Sequence, residues 1–177
     1  MDKEVLTRAI QSEEIEWRVQ GVTGKGIDKA KTIIVPYITN RCVMERLDEA
    51  FGFDHWSSEF KETSTGFICR ITIAISEPVK VDTGNSISPI GYSNVKYTHF
   101  YKEDGADKTK IEATKGGISD SMKRCAVQFG IGRGLYKYPR VMIKGEVKYI
   151  SDAIRQRLDN MVDAINKGTF NKQVVTL

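Results

Sequence analysis

Hydrophobic residues recur at helical spacing within the stretch Ile111–Tyr136, IEATKGGISDSMKRCAVQFGIGRGLY. Its apolar positions lie three, four or seven residues apart, at Ile111, Ile118, Met122, Cys125 or Ala126, and Phe129. Such a stripe predicts one helix with a buried side, followed by a glycine-rich turn. The cationic residues Lys115 and Lys123 fall on a different side, with Arg124 beside them. Asp120 precedes Arg124 by four residues and is expected to brace it.

The hydrophobic pattern elsewhere predicts both helices and strands. Strict alternation over residues 67–76 indicates a central strand, which is expected to form a hairpin with residues 56–63. The expected elements, in chain order, are helices over 3–18 and 39–51, strands over 56–63, 67–76 and 95–101, the helix of Ile111–Tyr136, and a helix from Ser151 to Gly168. This order predicts an α+β domain with an antiparallel sheet of three or slightly more strands, covered by helices on one side.

The segments between these elements are expected to be irregular. Residues 21–31 are polar and rich in glycine, which predicts a loop, and Pro36 restricts residues 32–38 to an edge strand or a lead-in. The remaining expectations are a long connection or extended hairpin tip over 78–94, a charged turn over 102–110, a short strand pair over 137–150 and a loose tail over 169–177. Residues 1–168 are therefore expected to form one domain.

Charge is unevenly distributed along the chain. The net charge is +4. Residues 108–177 carry 14 Lys/Arg against 6 Asp/Glu, a net of +8, whereas residues 1–107 carry 13 against 17, a net of −4. A basic surface on a near-neutral body is typical of proteins that bind nucleic acid. An acidic membrane surface is the competing polyanion, and an ordinary solvated lysine face is the simplest alternative.

The composition argues against several other classes. The three cysteines Cys42, Cys69 and Cys125 are far apart and form no C-x-x-C pair, which suits buried thiols in a reducing cytoplasm. No run of the sequence approaches the eighteen or so apolar residues of a membrane span. The first seventeen residues are acidic and amphipathic, unlike a secretory signal. His55 and His99 are isolated, so no metal or cofactor site is expected.

Three sequence motifs resemble the single-strand annealing domain of the Rad fifty-two family, especially its compact phage members of the Sak type. SDSMKRCAVQFG at Ser119–Gly130 follows that family's T-D-x-x-K-R-A-x-x-x-F-G signature. YITNRCV at Tyr37–Val43 and FGFDHW at Phe51–Trp56 match the upstream motifs Y-I-x-x-R-x-V and F-G-x-x-x-W. Arg18, in EIEWRVQ, matches an arginine that precedes the first loop.

The resemblance implies ATP-independent annealing of complementary single strands by a protein without enzymatic activity. It implies a homo-oligomeric ring with a β-β-β-α core, whose outer basic groove holds single-stranded DNA with its backbone inward. Arg18, Tyr37, Lys123 and Arg124 match the groove residues. Further partners implied are a single-strand-binding protein and an exonuclease, in the cytoplasm of a bacterial host if the protein is phage-encoded.

Two more cations are candidate DNA contacts. Lys115 lies on the same helical side as Lys123. Many eukaryotic members of the family carry a further arginine three residues after the Lys-Arg pair, where this chain has Val127, and Arg133 is a candidate to replace that charge. The glycines around Arg133 fit a phosphate cradle or, more simply, a helix end with a tight turn. Gly116 and Gly117 indicate either a close approach of DNA or a neighbouring subunit, or a helix that begins only near Ser119.

Three other functions remain open from the sequence. Glu59 and Lys61, with Asp54 ahead of them, weakly match the E-x-K metal sites of nucleases, although two-metal chemistry needs more carboxylates. A non-annealing single-strand binder would have the same basic groove, as would an RNA-binding or chaperone module. Acceleration of annealing in EDTA and relative affinity for DNA and RNA distinguish these alternatives.

Overall fold

The computed structural model describes residues 2, 4–24, 26, 29–82, 90–108 and 112–177. The chain divides into two compact units, one of residues 1–2 and 47–125 and the other of residues 3–46 and 126–177. The elements are α1 (Glu4–Thr7), β1 (Ile15–Thr23), β2 (Lys31–Ile38), α2 (Asn40–Phe51), β3 (Trp56–Glu62), β4 (Gly66–Asp82), β5 (Ile90–Asp107), α3 (Ala113–Phe129), β6 (Arg140–Lys144), α4 (Asp152–Asn166) and β7 (Val174–Thr176). The divisions after Arg46 and after Cys125 fall within helices, in α2 and in α3.

The first unit contains the predicted three-stranded antiparallel sheet, in the order β3-β4-β5. Its central strand buries every second residue from Phe67 to Ile73, as the alternation predicts. The pairing of β4 with β5 continues to Asp82 opposite Ile90, so residues 78–82 and 90–94 belong to an extended hairpin whose tip, residues 83–89, lies outside the described residues.

The expected charged turn over 102–110 is wrong for residues 102–107, which continue β5. The charges there are cross-strand partners: Glu103 lies opposite Arg70 in the register, and their side chains form an ion pair of 2.7 Å. Opposite charges on facing strands stabilise a sheet, so a charged sequence is compatible with this strand.

Helix α3 begins at Ala113, before the two glycines, and so the alternative start near Ser119 is wrong. A Cβ added to Gly117 would lie 2.6 Å from Cδ2 of Phe67, well inside van der Waals contact. The close approach that this glycine permits is therefore to a side chain of the same unit. Met122 and Cys125 are buried as the stripe predicts, and Ser121 is buried as well. Ile111 lies outside the described residues.

The second unit contains a four-stranded sheet that the sequence patterns did not predict, in the order β1-β2-β6-β7. Its strands come from both ends of the chain, with β1-β2-β6 antiparallel and β7 parallel to β6. Residues 15–23, expected as helix and loop, form β1, because buried Ile15 and Trp17 alternate with exposed Glu16 and Arg18. The segment expected as a loose tail includes β7.

Strand β2 is interior in this sheet, although Pro36 had suggested an edge. Of the β2 residues, only Thr32, Ile33 and Ile34 pair with β6, so Pro36 has a neighbouring strand on one side alone. A proline lacks the N–H group that a second neighbour would require, and the short β6 avoids this conflict. The predicted strand pair over 137–150 is a single strand that pairs with β2 and β7.

Arg46 explains why the predicted helix over residues 3–18 stops at Thr7. Its side chain is only 1% exposed, and its guanidinium donates to the backbone carbonyls of Val5, Arg8 and Ala9. It also forms two hydrogen bonds, of 3.0 and 2.7 Å, to the carboxylate of Glu14. The three carbonyls accept hydrogen bonds from a side chain of α2 and not from N–H groups of a following helical turn. This tertiary contact therefore outweighs the local helical pattern.

The helices α2 and α4 form where the sequence predicts them, and each has a capped start and a glycine after its last residue. In α2, the Thr39 hydroxyl accepts a hydrogen bond from Cys42 N at 3.1 Å, and Gly52 ends the helix at φ +89°. In α4, the Ser151 side chain accepts from Ile154 N, and Gly168 follows at φ +69°. The two hydroxyl groups accept from backbone N–H groups that have no partner within the first turn of the helix. The two glycines adopt the left-handed conformation that commonly ends a helix.

Candidate nucleic-acid interface

The structure brings Arg18 and Tyr37 together on one face of the four-stranded sheet. Arg18 lies opposite Val35, and Tyr37 lies opposite Glu16, so the two side chains are diagonal neighbours on β1 and β2. The guanidinium carbon of Arg18 is 5.4 Å from the centroid of the Tyr37 ring. This geometry is a cation–π contact.

This face is accessible to solvent. The Arg18 side chain is 52% exposed, and Tyr37 is 37% exposed, whereas Trp17 and Ile38 on the opposite face are buried. Tyrosines that follow a strand are usually core residues, but Tyr37 is not one. Arg18 Nη2 also lies 2.7 Å from Glu16 Oε2, an acidic neighbour that the sequence analysis overlooked. Their spacing of two residues on a strand, which places both on one face, was the signal that could have found it.

Arg124 is an exposed cation on α3. Its side chain is 55% exposed, and its Nε lies 3.1 Å from Oδ1 of Asp104 on β5. The brace predicted from Asp120 is wrong, because Asp120 pairs instead with Lys123 at 2.7 Å. Asp104 is far from Arg124 in sequence, so only the fold reveals this partner.

Lys123 and Lys115 differ sharply in exposure. The Lys123 side chain is only 12% exposed, which contradicts the expectation that Lys123 and Arg124 both lie on a solvent face. Lys115 is 78% exposed and lies 3.2 Å from Glu112. Exposed pairs of this kind contribute little to stability, about 0–1 kcal/mol. Phosphate can therefore displace the carboxylate of Lys115 at small cost.

Arg133 binds the end of α3. Its guanidinium donates two hydrogen bonds to the carbonyl of Val127, at 3.0 and 2.8 Å, and one to the carbonyl of Gln128 at 2.9 Å. These are C-terminal carbonyls of a helix, where a cation is favoured by the helix dipole. Gly130 and Gly132 have φ values of +109° and +72°, as a tight turn after a helix requires. Part of the Arg133 charge is thus engaged in capping.

The three cysteines are buried thiols, as predicted. Burial, together with the carboxylate of Glu14, raises the pKa of the Cys42 thiol to about 11. A hydrogen bond with Cys125, together with burial, raises the pKa of the Cys69 thiol. Cys125 in turn donates to the carbonyl of Lys102 at 3.1 Å. Because their pKa values are raised, the thiols of Cys42 and Cys69 are poor nucleophiles at neutral pH.

The residues of the nuclease alternative have other partners. Glu59 lies 3.9 Å from Arg70, and the Asp54 carboxylate accepts a hydrogen bond from Nδ1 of His55 at 2.8 Å. The part of the chain that the structure describes holds no group of three or more His, Cys, Asp or Glu side chains positioned for a metal ion. Among the described residues, no helix is long and apolar enough to cross a membrane.

Comparison with known proteins shows a match to the Rad52/22 family of double-strand break repair proteins over residues 3–153. The chain belongs to this family. It is also 29% identical over 115 residues to the single-stranded DNA-binding protein DdrA of Deinococcus radiodurans, covering 64% of this chain and 45% of DdrA. With DdrA of Deinococcus deserti the identity is 31% over 128 residues, covering 71% and 52%. The chain spans about half the length of these curated relatives.

The family match includes all six residues of the predicted site and parts of both units. Arg18, Tyr37 and Arg133 lie in the second unit, and Lys115, Lys123 and Arg124 lie in the first. The six residues thus fall into three places. Arg18 and Tyr37 lie on the four-stranded sheet, three cations lie on α3, and Arg133 lies at the C-terminus of α3.

Proposed function

We propose that this protein binds single-stranded DNA and anneals complementary strands without nucleotide or metal. The observation that carries the proposal is the cation–π contact between exposed Arg18 and Tyr37, in a chain of the Rad52/22 family. The two DdrA relatives are single-stranded DNA-binding proteins, which supports single-stranded DNA as the ligand of this chain.

Annealing requires two things of a protein, and neither is covalent chemistry. The phosphates of two like-charged strands must be neutralised so that the strands can approach, and the bases must stay free to pair. Exposed Arg18 and Arg124 supply positive charge for the first requirement. Contacts to the DNA backbone make no hydrogen bonds to the base edges, so binding does not depend on the nucleotide sequence.

A carboxylate beside each of these cations is compatible with such a role. Glu16 pairs with Arg18, and a solvent-exposed pair of this kind is weak. Asp104, which is 25% exposed, pairs with Arg124. Each guanidinium therefore exchanges one oxyanion for another when phosphate arrives.

The test is a time course of duplex formation between complementary fluorescent oligonucleotides in EDTA, without ATP. A protein that presents bases while it neutralises phosphates speeds annealing above the uncatalysed rate. A protective coating protein slows it. Retarded annealing at every ratio of protein to nucleotide would reject the annealing assignment and leave a plain single-strand binder. Equal or tighter binding to RNA of the same sequence would favour the RNA-binding alternative.

The proposal extends to architecture and assembly. The first part of α3 contacts the three-stranded sheet, through Gly117 against Phe67 and Cys125 against the Lys102 carbonyl, which supports a β-β-β-α core. Both sheets have edge strands, and edges are commonly covered by neighbouring subunits. We therefore expect a closed homo-oligomeric ring. Light scattering that shows a monomer of 19.9 kDa while annealing persists would contradict it.

A further inference from the structure

The face of the four-stranded sheet that carries Arg18 and Tyr37 continues across β2 onto β6. Arg18 lies opposite Val35, and the register that pairs Ile34 with Val141 brings Arg140 alongside Val35. Arg18 and Arg140 therefore occupy the same row of the sheet, on either side of Val35. Because neighbouring strands are about 4.8 Å apart, the two arginine backbones are separated by about 10 Å.

The burial pattern of β6 confirms which residues share this face. Val141 and Ile143 are buried at 1% and 4% exposure, while Arg140 and Lys144 are exposed and Met142 is half-buried. Successive side chains alternate between the two faces of a strand. Arg140, Met142 and Lys144 therefore lie on the face of Arg18 and Tyr37. Arg140 and Lys144 are separated by about 13 Å along the strand at about 3.3 Å per residue.

The two β6 cations differ from four of the six predicted site residues in their electrostatic surroundings. Arg18, Lys115, Lys123 and Arg124 each pair with a carboxylate. Among the ion pairs that the described residues form, none includes Arg140 or Lys144. Glu16 is the acidic side chain on this face in β1, and it is occupied by Arg18. The positive charge of Arg140 and Lys144 is thus uncompensated by ion pairing.

The surface between the cations is apolar. Val35 and Ile33 on β2 and Met142 on β6 are half-buried on this face, and exposed Tyr37 lies at its end. Isolated cations on an apolar, partly aromatic sheet face are suited to an extended chain that carries one charge per unit and flat apolar groups between charges. A single nucleic-acid strand has this chemistry.

On the basis of this geometry, and resting on the proposed function, we infer that Arg140 and Lys144 bind phosphates of the single strand. The strand then runs over the open face of β1, β2 and β6, with Arg18 and Arg140 contacting its backbone on either side of β2. The sheet face, and not α3 alone, supplies a substantial share of the electrostatic binding.

The experiment measures binding of a fluorescent oligothymidylate by anisotropy over a range of salt concentrations, for Arg140→Ala, Lys144→Ala and the double variant. The logarithm of the binding constant falls with the logarithm of the salt concentration, with a slope of about −0.7 for each phosphate contact. One contact therefore raises the affinity about fivefold at about 0.1 M salt, relative to about 1 M salt. Each single substitution should therefore weaken binding about fivefold and flatten the slope by about 0.7, and the double variant should show both losses. Arg157→Ala, an exposed arginine on α4 of the same unit, is the matched control.

The outcomes separate the two proposals. The inference would be overturned if the wild type bound the strand and the Arg140 and Lys144 variants had the same affinity and salt slope as Arg157→Ala. The proposed function would then remain intact. Absence of wild-type binding would reject the proposed function itself. Arg140→Lys retains the charge, so it should keep the wild-type salt slope. Loss of slope in that variant, at unchanged thermal stability, would also contradict a phosphate contact.

Discussion

The guanidinium of Arg18 lies 5.4 Å from the centroid of the Tyr37 ring, and its Nη2 atom lies 2.7 Å from Glu16. The ring and the carboxylate together fix the direction of a long side chain that would otherwise sample many rotamers. An exposed cation–π contact is worth about 0.5–1 kcal/mol, enough to bias that direction but not to hold the arginine away from a phosphate.

This relationship predicts different effects for two substitutions of Tyr37. Tyr37→Phe keeps the ring that orients Arg18 and that a base can stack on, so binding of single-stranded DNA should stay near that of the wild type. Tyr37→Ala removes both, and should weaken binding by about 1–3 kcal/mol. Arg18→Ala should lower binding and annealing together. Anisotropy and the annealing time course measure these effects.

Tyr149→Ala is the control for loss of an exposed tyrosine from the same unit, since Tyr149 is 84% exposed. If Tyr37→Ala and Tyr149→Ala behaved alike, the aromatic ring of Tyr37 would have no specific role. An equally large loss for Tyr37→Phe would assign the effect to the hydroxyl group instead.

The two adjacent cations of α3 should respond differently to substitution. Arg124 is 55% exposed, so Arg124→Ala should weaken binding and flatten its salt dependence without changing the melting temperature. Lys123 is 12% exposed and pairs with Asp120, so Lys123→Ala loses packing of its aliphatic stem and its ion pair. We expect it to lower the melting temperature as well.

Calorimetry together with anisotropy on both variants tests this difference. Equal melting temperatures for the two would show that the burial of Lys123 contributes nothing to stability. Unchanged affinity and salt slope for Arg124→Ala would remove α3 from the DNA interface.

Local patterns predicted the elements whose partners are close in sequence. The alternation from Phe67 to Ile73 predicted β4, and the helix expected over residues 39–51 is α2. The four-stranded sheet was missed because β6 joins β2 from the other end of the chain, and periodicity carries no information on such pairing. The helix expected over residues 3–18 failed for the same reason, since its carbonyls bind Arg46 of α2.

The candidate site was predictable to a similar extent. Motif resemblance placed Arg18 and Tyr37 in one site, and the structure brings them together. It could not reveal that Asp104 on β5 would bind Arg124, or that Lys123 would be largely buried, because both depend on the packing of distant elements.

Gly117 should not tolerate a side chain. Its missing Cβ would lie 2.6 Å from the Phe67 ring, so Gly117→Ala forces the ring or α3 to shift, at a cost of about 1–3 kcal/mol. Gly134→Ala is the control, because nothing lies within 4 Å of its added Cβ. Urea denaturation should show that Gly117→Ala is destabilised and that Gly134→Ala is not. Adding Phe67→Leu to Gly117→Ala should partly restore stability, because leucine is smaller than phenylalanine. Equal stability of the two alanine variants would contradict the close approach.

Glu14 should make the protein less stable in acid. Burial raises the pKa of this carboxyl, but the hydrogen bonds from Arg46 and from the backbone of Gln11, together with the charge of Arg46, outweigh burial, so its pKa is lowered from 4.5. A group with a depressed folded-state pKa stabilises the protein above its unfolded-state pKa, and this stabilisation is lost as the pH falls through the folded-state value. The stabilising contribution of Glu14 should therefore be complete at neutral pH and decline below about pH 4.5.

Glu14→Gln tests this dependence, because glutamine keeps the size and one acceptor but cannot ionise. Unfolding free energies of wild type and variant, measured by urea denaturation from about pH 7 to about pH 3, should differ most at neutral pH and converge in acid. Exposed Glu13→Gln is the matched control, since Glu13 accepts from the neighbouring Ser12 hydroxyl and not from Arg46. Arg46→Ala should be more damaging, about 3–5 kcal/mol, because it leaves a partly buried carboxylate and several carbonyls without their donor. A gap between wild type and Glu14→Gln that stays constant over the whole pH range would show that the carboxylate charge does not stabilise this cluster.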